Sequence, residues 1–451
     1  MRSSATEGVA LGLAPALTPQ GLLAAPSFFH GFATHPRALA QGLVTLADIT
    51  ATRYFQFTPT TLRDPVLTAH GDRLRAEVFS ADNSVYARLD VLGAGEGGGL
   101  DGGDIAHGTT NVDIGQTMRQ ALSRVNSNEL LHLDVGTGGL TASTPLGTVV
   151  ERPVEMPQRW VRAFGNAAEL HRGLVPRFEL NTTQARTFIA ALPPASAKGK
   201  SGWLIAAASG VRVAPRVPGV QSAVFVDGLN RLSALKRLLV IQRGLIVYGT
   251  ADNSPGGAAV EVLLPGARLL IALTEGLSRG YSGEGSLLVS LAKPGVLDDA
   301  SLLSALLAFE PKIDVARLSR DAALGEEQVH AALAVLAASG RVGWDVRESC
   351  YFHRELPDDP DRVAKDNPRL VRARRIADSA GAVRRIDDGS ALGSEGWDVD
   401  GGNAVHRVSG AAGDRACTCT WYLRHPSGRG PCAHALAVSM VEREIEETPW
   451  A

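Results

Sequence analysis

Three of the four cysteines in this 451-residue chain fall in one short stretch. They run Cys417-Thr-Cys419, then twelve residues, then Cys432-Ala-His434. Three thiolates and one imidazole make the donor set of a structural tetrahedral zinc site, which takes four nitrogen or sulfur ligands and keeps no open position. A disulfide framework fits poorly, because three thiols leave one unpaired and a bridge across a single residue is strained. The remaining thiol, Cys350, lies far off in sequence and reads as a buried residue of a hairpin. One zinc ion held by Cys417, Cys419, Cys432 and His434 is therefore the expected cofactor.

The elements that must position these ligands follow from their spacing. Cys417 and Cys419 are two apart, so on an extended strand both thiols point to one face. Cys432 and His434 cannot share a face inside a helix, since two residues turn about 200°. Cys432 is thus expected just before a helix, after Pro431, with His434 in the first turn. "GNAVHRVSG" supplies an earlier strand, and "ALAVSMVEREIEE" a helix with Leu436, Met440, Val441 and Ile445 inward. The result is a small ββα zinc finger over residues 397–451.

The pattern C-x-C, then C-x-H, with a strand before it and "PCAHALAV" after it, resembles the SWIM-type zinc finger. Cys417, Cys419, Cys432 and His434 occupy its four ligand positions. The lead-in "GRVGWDV…YFHRELP…NPRL" and the order of domains are similar to bacterial SWIM zinc finger proteins of the actinobacterial type. The resemblance implies a DNA-binding or protein-interaction module. Some bacterial members are encoded beside MoxR-type AAA+ ATPases and von Willebrand A proteins, which implies an adaptor with a protein partner of that kind.

Between the ligand pairs stand Trp421, Tyr422, Arg424 and Arg429. Aromatic and cationic groups together suit base stacking and phosphate contact, so these four are candidate contacts to nucleic acid or to a partner. The competing role for Trp421 and Tyr422 is to cover the metal. His406 and His425 are the nearby histidines that could replace a ligand, and His425 is expected to sit exposed in its loop.

The whole chain reads as an α+β multidomain protein. Residues 1–292 form a mixed α/β region in which helical stretches (114–125, 182–192 and 229–240) are each followed by three short strands. This helix-plus-three-strand rhythm suggests an internal repeat. It is similar to sliding-clamp topology; an ordinary α+β domain is the alternative. Residues 297–356 read as three helices and a β-hairpin, which resembles a winged helix-turn-helix domain. Its first helix is expected over 298–311, with Leu302, Leu303, Leu306 and Leu307 along one face. The presumed recognition helix opens on Glu326, Glu327 and Gln328, which would meet the phosphates of a duplex at a penalty. Arg341 and Arg347 on the wing offset this in part, and a protein-binding or structural role is preferred. Residues 357–396 read as a charged linker, with Arg369, Arg372, Arg374, Arg375, Arg384 and Arg385 forming either a solvated face or a nucleic-acid contact.

Composition narrows the function classes. Forty-five Lys and Arg against 47 Asp and Glu leave a formal charge of −2, so any nucleic-acid contact must come from a local patch. No apolar run approaches the roughly 20 residues needed to span a bilayer, and no signal peptide is evident, which suggests a cytoplasmic location. "GAGEGGG" (93–99) satisfies G-x-G-x-x-G, but "LDGGDIAHG" after it cannot open a phosphate-binding helix. "GYSGEG" misplaces its glycines for a nucleophile elbow. No catalysis is expected. Macromolecular recruitment as a protein–protein adaptor leads, a DNA- or RNA-binding regulator follows, and an activity within residues 1–292 comes third.

Overall fold

The computed structural model describes residues 27–447 except 61–63, 96, 102–103, 155, 217–218, 220–221, 282–286, 292, 294, 308–309, 355–367, 387–395, 412–413 and 426–429. Before residue 27 it describes short strands at 8–9, 16–18 and 21–23. The helix-and-three-strand rhythm occurs four times, once more than the sequence suggests. Helix α1 (Pro36–Thr50) precedes Val66–His70, Arg73–Phe79 and Val85–Leu92, and α2 (Gln116–Arg124) precedes His132–Gly136, Gly139–Thr144 and Gly147–Glu151. Helix α3 (Gln158–Arg172) stands outside this pattern. Then α4 (Thr182–Ala191) precedes Gly202–Ala207, Gly210–Ala214 and Ala223–Val226. In the fourth unit the expected α-helix is a 3-10 helix, Leu229–Leu238, ahead of Gly244–Thr250, Ala258–Leu264 and Ala267–Leu273.

The first and fourth strand sets join edge to edge, Val85–Leu92 pairing antiparallel with Ala267–Leu273. The eight-stranded sheet they build also takes in His107–Asn111 at one edge and Leu174–Leu180 at the other. Because side chains alternate across a strand, this sheet has two unlike faces. Leu74, Ala76, Leu89 and Val91 are buried on the apolar one, which packs on α1. Asp48 of α1 pairs with Arg119 of α2 and with Arg237 of the 3-10 helix, tying the helices together. The other face carries Arg73, Arg75, Glu77, Arg88 and Asp90, all buried.

What buries these charges is the hairpin Val342–Asp345/Cys350–His353. The Asp345 carboxylate lies 2.7 Å from Arg268, 2.8 Å from Arg75 and 3.0 Å from Arg88. Asp90 pairs with the same three guanidinium groups at 2.5–3.0 Å. Around this centre Arg354 grips both oxygens of Glu77 at 2.6 Å, Glu348 accepts from Arg73 at 2.7 Å, and Arg347 donates to Glu261 at 3.1 Å. Phe352 lies 3.7 Å beneath the guanidinium of Arg75. The wing arginines considered for phosphate contact are thus engaged within the chain, Arg347 with Glu261 and Arg341 with Ser304.

Three helices precede this hairpin in the expected order, after a short α5 (Leu287–Leu291). They are α6 (Val296–Leu306), α7 (Val315–Ala322) and α8 (Glu326–Ala338). Helix α6 departs from expectation: it ends at Leu306 and buries Val296, Ala300 and Leu303, while Leu302 is 43% exposed. Helix α8 closes on Gly340 (φ +86°), with Gly340 N–H bonding Ala337 and Arg341 N–H bonding Leu336. Every residue from Ala331 to Ala338 is buried. A Cβ on Gly165 of α3 would lie 2.6 Å from the Ala338 Cα, so glycine and alanine let α3 and α8 cross in close contact.

The stretch read as a charged linker contributes folded structure. Pro368–Ala377 forms α9 with Leu370, Ala373 and Ile376 buried, and Val383–Ile386 is the edge strand of a four-stranded sheet. That sheet continues through Gly396–Asp400 and Val405–Ser409 to Ala416–Cys417. Helices α10 (Thr420–Arg424) and α11 (Ala433–Glu447) complete the C-terminal end, with α11 packed against α9. One apolar cluster runs without a break from Leu287 to Val438 and also includes Ala168 of α3. The C-terminal module and the three-helix unit therefore share a core. Among the described residues, no helix is long and apolar enough to cross a membrane.

Burial alone would raise the Asp345 carboxyl, but Arg88 and Arg75 outweigh it and bring it down to about 2. A depressed carboxylate contributes stability above its unfolded value near 3.9, and that stability is lost as pH falls through the folded value. Replacing Asp345 by Asn also strands buried guanidinium groups, a loss on the order of 3–5 kcal/mol. Denaturant unfolding should show this deficit in full above about pH 5, narrowing toward pH 2. A deficit independent of pH would contradict the ion-pair account.

Candidate metal centre

The four expected ligands converge. Cys417, Cys419, Cys432 and His434 are each at most 4% exposed, and their ligand atoms all lie within 4.8 Å of one another. A tetrahedral ion with sulfur at about 2.3 Å separates its ligands by about 3.8 Å along each edge, so little rearrangement is needed to close on one. Cys417 Sγ and His434 Nδ1 are already 3.8 Å apart.

Each ligand owes its place to a local feature. The strand Ala416–Cys417 pairs with Val405–Ser409, which sets Cys417 opposite Val408. The strand ends there. Cys419 is not its next same-face residue but the N-cap of α10, and its sulfur accepts from Tyr422 N–H at 3.4 Å. Cys432 precedes α11 as expected, and its sulfur accepts from Ala435 N–H at 3.5 Å. The Cys417 sulfur accepts from Cys419 N–H at 3.4 Å. Two sulfurs thus sit at helix N-termini, where amide dipoles favour a thiolate. His434 lies in the first turn of α11 with Nδ1 toward the thiols.

Without a cation, three thiols at this spacing cannot all ionise. The Cys417 hydrogen bond draws the Cys432 thiol far down, to about 4, and the reciprocal bond pushes Cys417 far up. Burial raises Cys419. A divalent cation removes this conflict by neutralising the thiolates together, and the residues present fit one such ion.

The surroundings hold His434 tightly. Its Nε2 is buried with no hydrogen-bond partner among the described residues, and Nδ1 is the nitrogen that faces the Cys417 sulfur. A Cβ on Gly401 would lie 2.8 Å from that Nε2. The His406 ring packs at 4.4 Å from the His434 ring, and Arg372 donates to the Gly401 carbonyl at 3.1 Å. Neither His406 nor His425 joins the ligand group; His425 is half-buried with its ring 5.3 Å from Trp421. Trp421 and Tyr422 are half-buried against the core, and the Arg369 guanidinium lies 4.7 Å over the Trp421 ring. Arg369 also donates to the Pro431 carbonyl at 3.2 Å. Arg424 is exposed, and Arg429 lies outside the described residues. Sequence reasoning missed Gly401, which falls outside the ligand motif, and assigned Arg369 to a solvated or nucleic-acid face instead of to Trp421 and Pro431.

No protein-family model matches the chain, and no curated protein matches it. Solved structures do match. Proliferating Cellular Nuclear Antigen from Entamoeba histolytica is 12% identical over 55% of this chain and 99% of that one, at a TM-score of 0.36. The PCNA2–PCNA3 complex from Sulfolobus tokodaii is 12% identical over 55% of this chain and 98% of that one, also at 0.36.

Cys432→Ser should lose about one metal ion per chain by elemental mass spectrometry, and an unchanged content would sink the assignment. Gly401→Ala, which touches no ligand atom covalently, should weaken metal retention against a chelator roughly tenfold. Retention equal to the parent would show that Gly401 does not position His434.

Proposed function

We propose that this chain is a non-catalytic recruitment protein, a protein–protein adaptor, whose C-terminal SWIM-type module is held by one structural Zn2+. The observation that carries this reading is the closure of the metal group. Three buried thiols and one buried imidazole supply all four positions of a tetrahedral ion, so none remains to activate water or polarise a substrate. Thiolate and imidazole donors favour zinc over the oxygen-seeking cations. The metal then acts through folding: its three thiol ligands belong to the apolar cluster that runs back to Leu287.

The three-helix-and-hairpin unit serves as a winged helix in a structural role. Its groove-reading helix would be α8, which is enclosed on all sides along Ala331–Ala338 and opens on Glu326 and Glu327. Its wing is spent on the eight-stranded sheet. A partner of the AAA+ ATPase or von Willebrand A class, as the SWIM resemblance implies, and a cytoplasmic setting fit this reading. The nucleic-acid alternative retains one supporting observation, the exposure of Arg372, Arg375, Arg384 and Arg424.

Affinity purification of the full chain, with and without nuclease and followed by mass spectrometry, separates the two. An adaptor retains a stoichiometric partner after nuclease treatment and ignores DNA at physiological salt. Loss of every partner on nuclease treatment, with DNA affinity that falls steeply with salt and weakens in Arg424→Ala, would replace the adaptor by the nucleic-acid reading.

A further inference from the structure

Far in sequence from the thiols, a five-stranded sheet ordered Leu100–Asp101, Ser27–Ala33, His132–Gly136, Gly139–Thr144 and Gly147–Glu151 brings two histidines and an aspartate together. His30 lies on Ser27–Ala33, and His132 and Asp134 lie on its antiparallel neighbour His132–Gly136. The register sets Asp134 opposite His30 and His132 opposite Phe32. The two imidazole rings stand 4.4 Å apart, centre to centre, at 72°. His30 Nδ1 is 3.3 Å from one Asp134 oxygen, while the other Asp134 oxygen accepts from Ser27 Oγ at 2.8 Å. The Phe32 ring lies 4.9 Å from the His132 ring, edge to face. The His30 side chain is 67% exposed.

This arrangement prepares an imidazole for a cation. A carboxylate that takes the Nδ1 proton fixes the ring's tautomer and leaves the Nε2 lone pair free, as the outer carboxylate of a metal-bound histidine does. Two imidazoles on one cation, each with nitrogen at about 2.0–2.1 Å, place their ring centres about 4.5 Å apart at a right angle and about 5.2 Å apart at a tetrahedral one. The observed spacing is within a small side-chain adjustment of that.

We propose that His30 and His132 form a second, solvent-open site for a divalent transition cation, with Asp134 as the outer carboxylate that orients His30. Imidazole donors select the borderline ions zinc, nickel and copper over calcium and magnesium. Among the described residues the site has two protein ligands, and its remaining positions go to water or to an incoming donor. In this the site is the opposite of the closed thiol group, and it does not depend on the adaptor reading.

Ni2+ is the probe, titrated calorimetrically into untagged full-length chain already carrying one equivalent of Zn2+. One saturable equivalent is expected. His30→Ala and His132→Ala should each weaken it at least tenfold, and Asp134→Asn about tenfold. Cu2+ at the same site should show hyperfine splitting from two nitrogens in its electron paramagnetic resonance spectrum. All three variants should keep the first zinc equivalent, which reports that the fold is intact. Non-saturable uptake, or affinity unchanged in either histidine variant, would overturn the proposal.

Discussion

Three guanidinium groups, from Arg75, Arg88 and Arg268, converge on two buried aspartates, one from the sheet and one from the hairpin. Neither half of this cluster is tolerable alone in a dry interior, because an unpaired buried charge costs several kcal/mol. The constraint therefore fixes where the hairpin must lie. With Asp345 seated there, α8 lies against α3 in the close crossing at Gly165 and Ala338. The second apolar core extends from that contact to the three cysteines.

This order of dependence explains why the metal module is not an appendage. Cys417, Cys419 and Cys432 are members of the same cluster as Leu303, Leu333 and Tyr351. A cation bound by the thiolates would also hold the turn at Gly401 and the start of α11 against the helices beneath. Arg372 on α9 extends the tie through the Gly401 carbonyl, so a segment of strongly polar composition is anchored at both its helix and its turn.

The ligand set was legible because cysteine is rare in the chain and the spacing left few alternatives. The strands after 130, 202 and 244 were legible because their alternation is regular and glycine marks their ends. Other features were hidden for physical reasons. Arg73, Arg75 and Glu77 alternate as a solvent face would, and no local pattern tells water from a second layer of charges 270 residues further on. The apolar side of α9, Leu370, Ala373 and Ile376, is masked by the arginines between them. In the first helix of the three-helix unit, the leucine pair at 302 and 303 was assigned one face. The helix begins two residues earlier than expected, and its inward line runs through Val296, Ala300 and Leu303.

The seam between sheet and hairpin is rich in ions, and this has a consequence for how the chain is born. Arg75 leaves the ribosome 270 residues before its partner Asp345. At about 5–20 residues per second it waits roughly 15–50 s for that carboxylate. An apolar face exposed for so long would invite aggregation. A face of arginine, aspartate and glutamate can stay hydrated until the hairpin arrives, and it gives up its water only to the one segment that carries the matching charges.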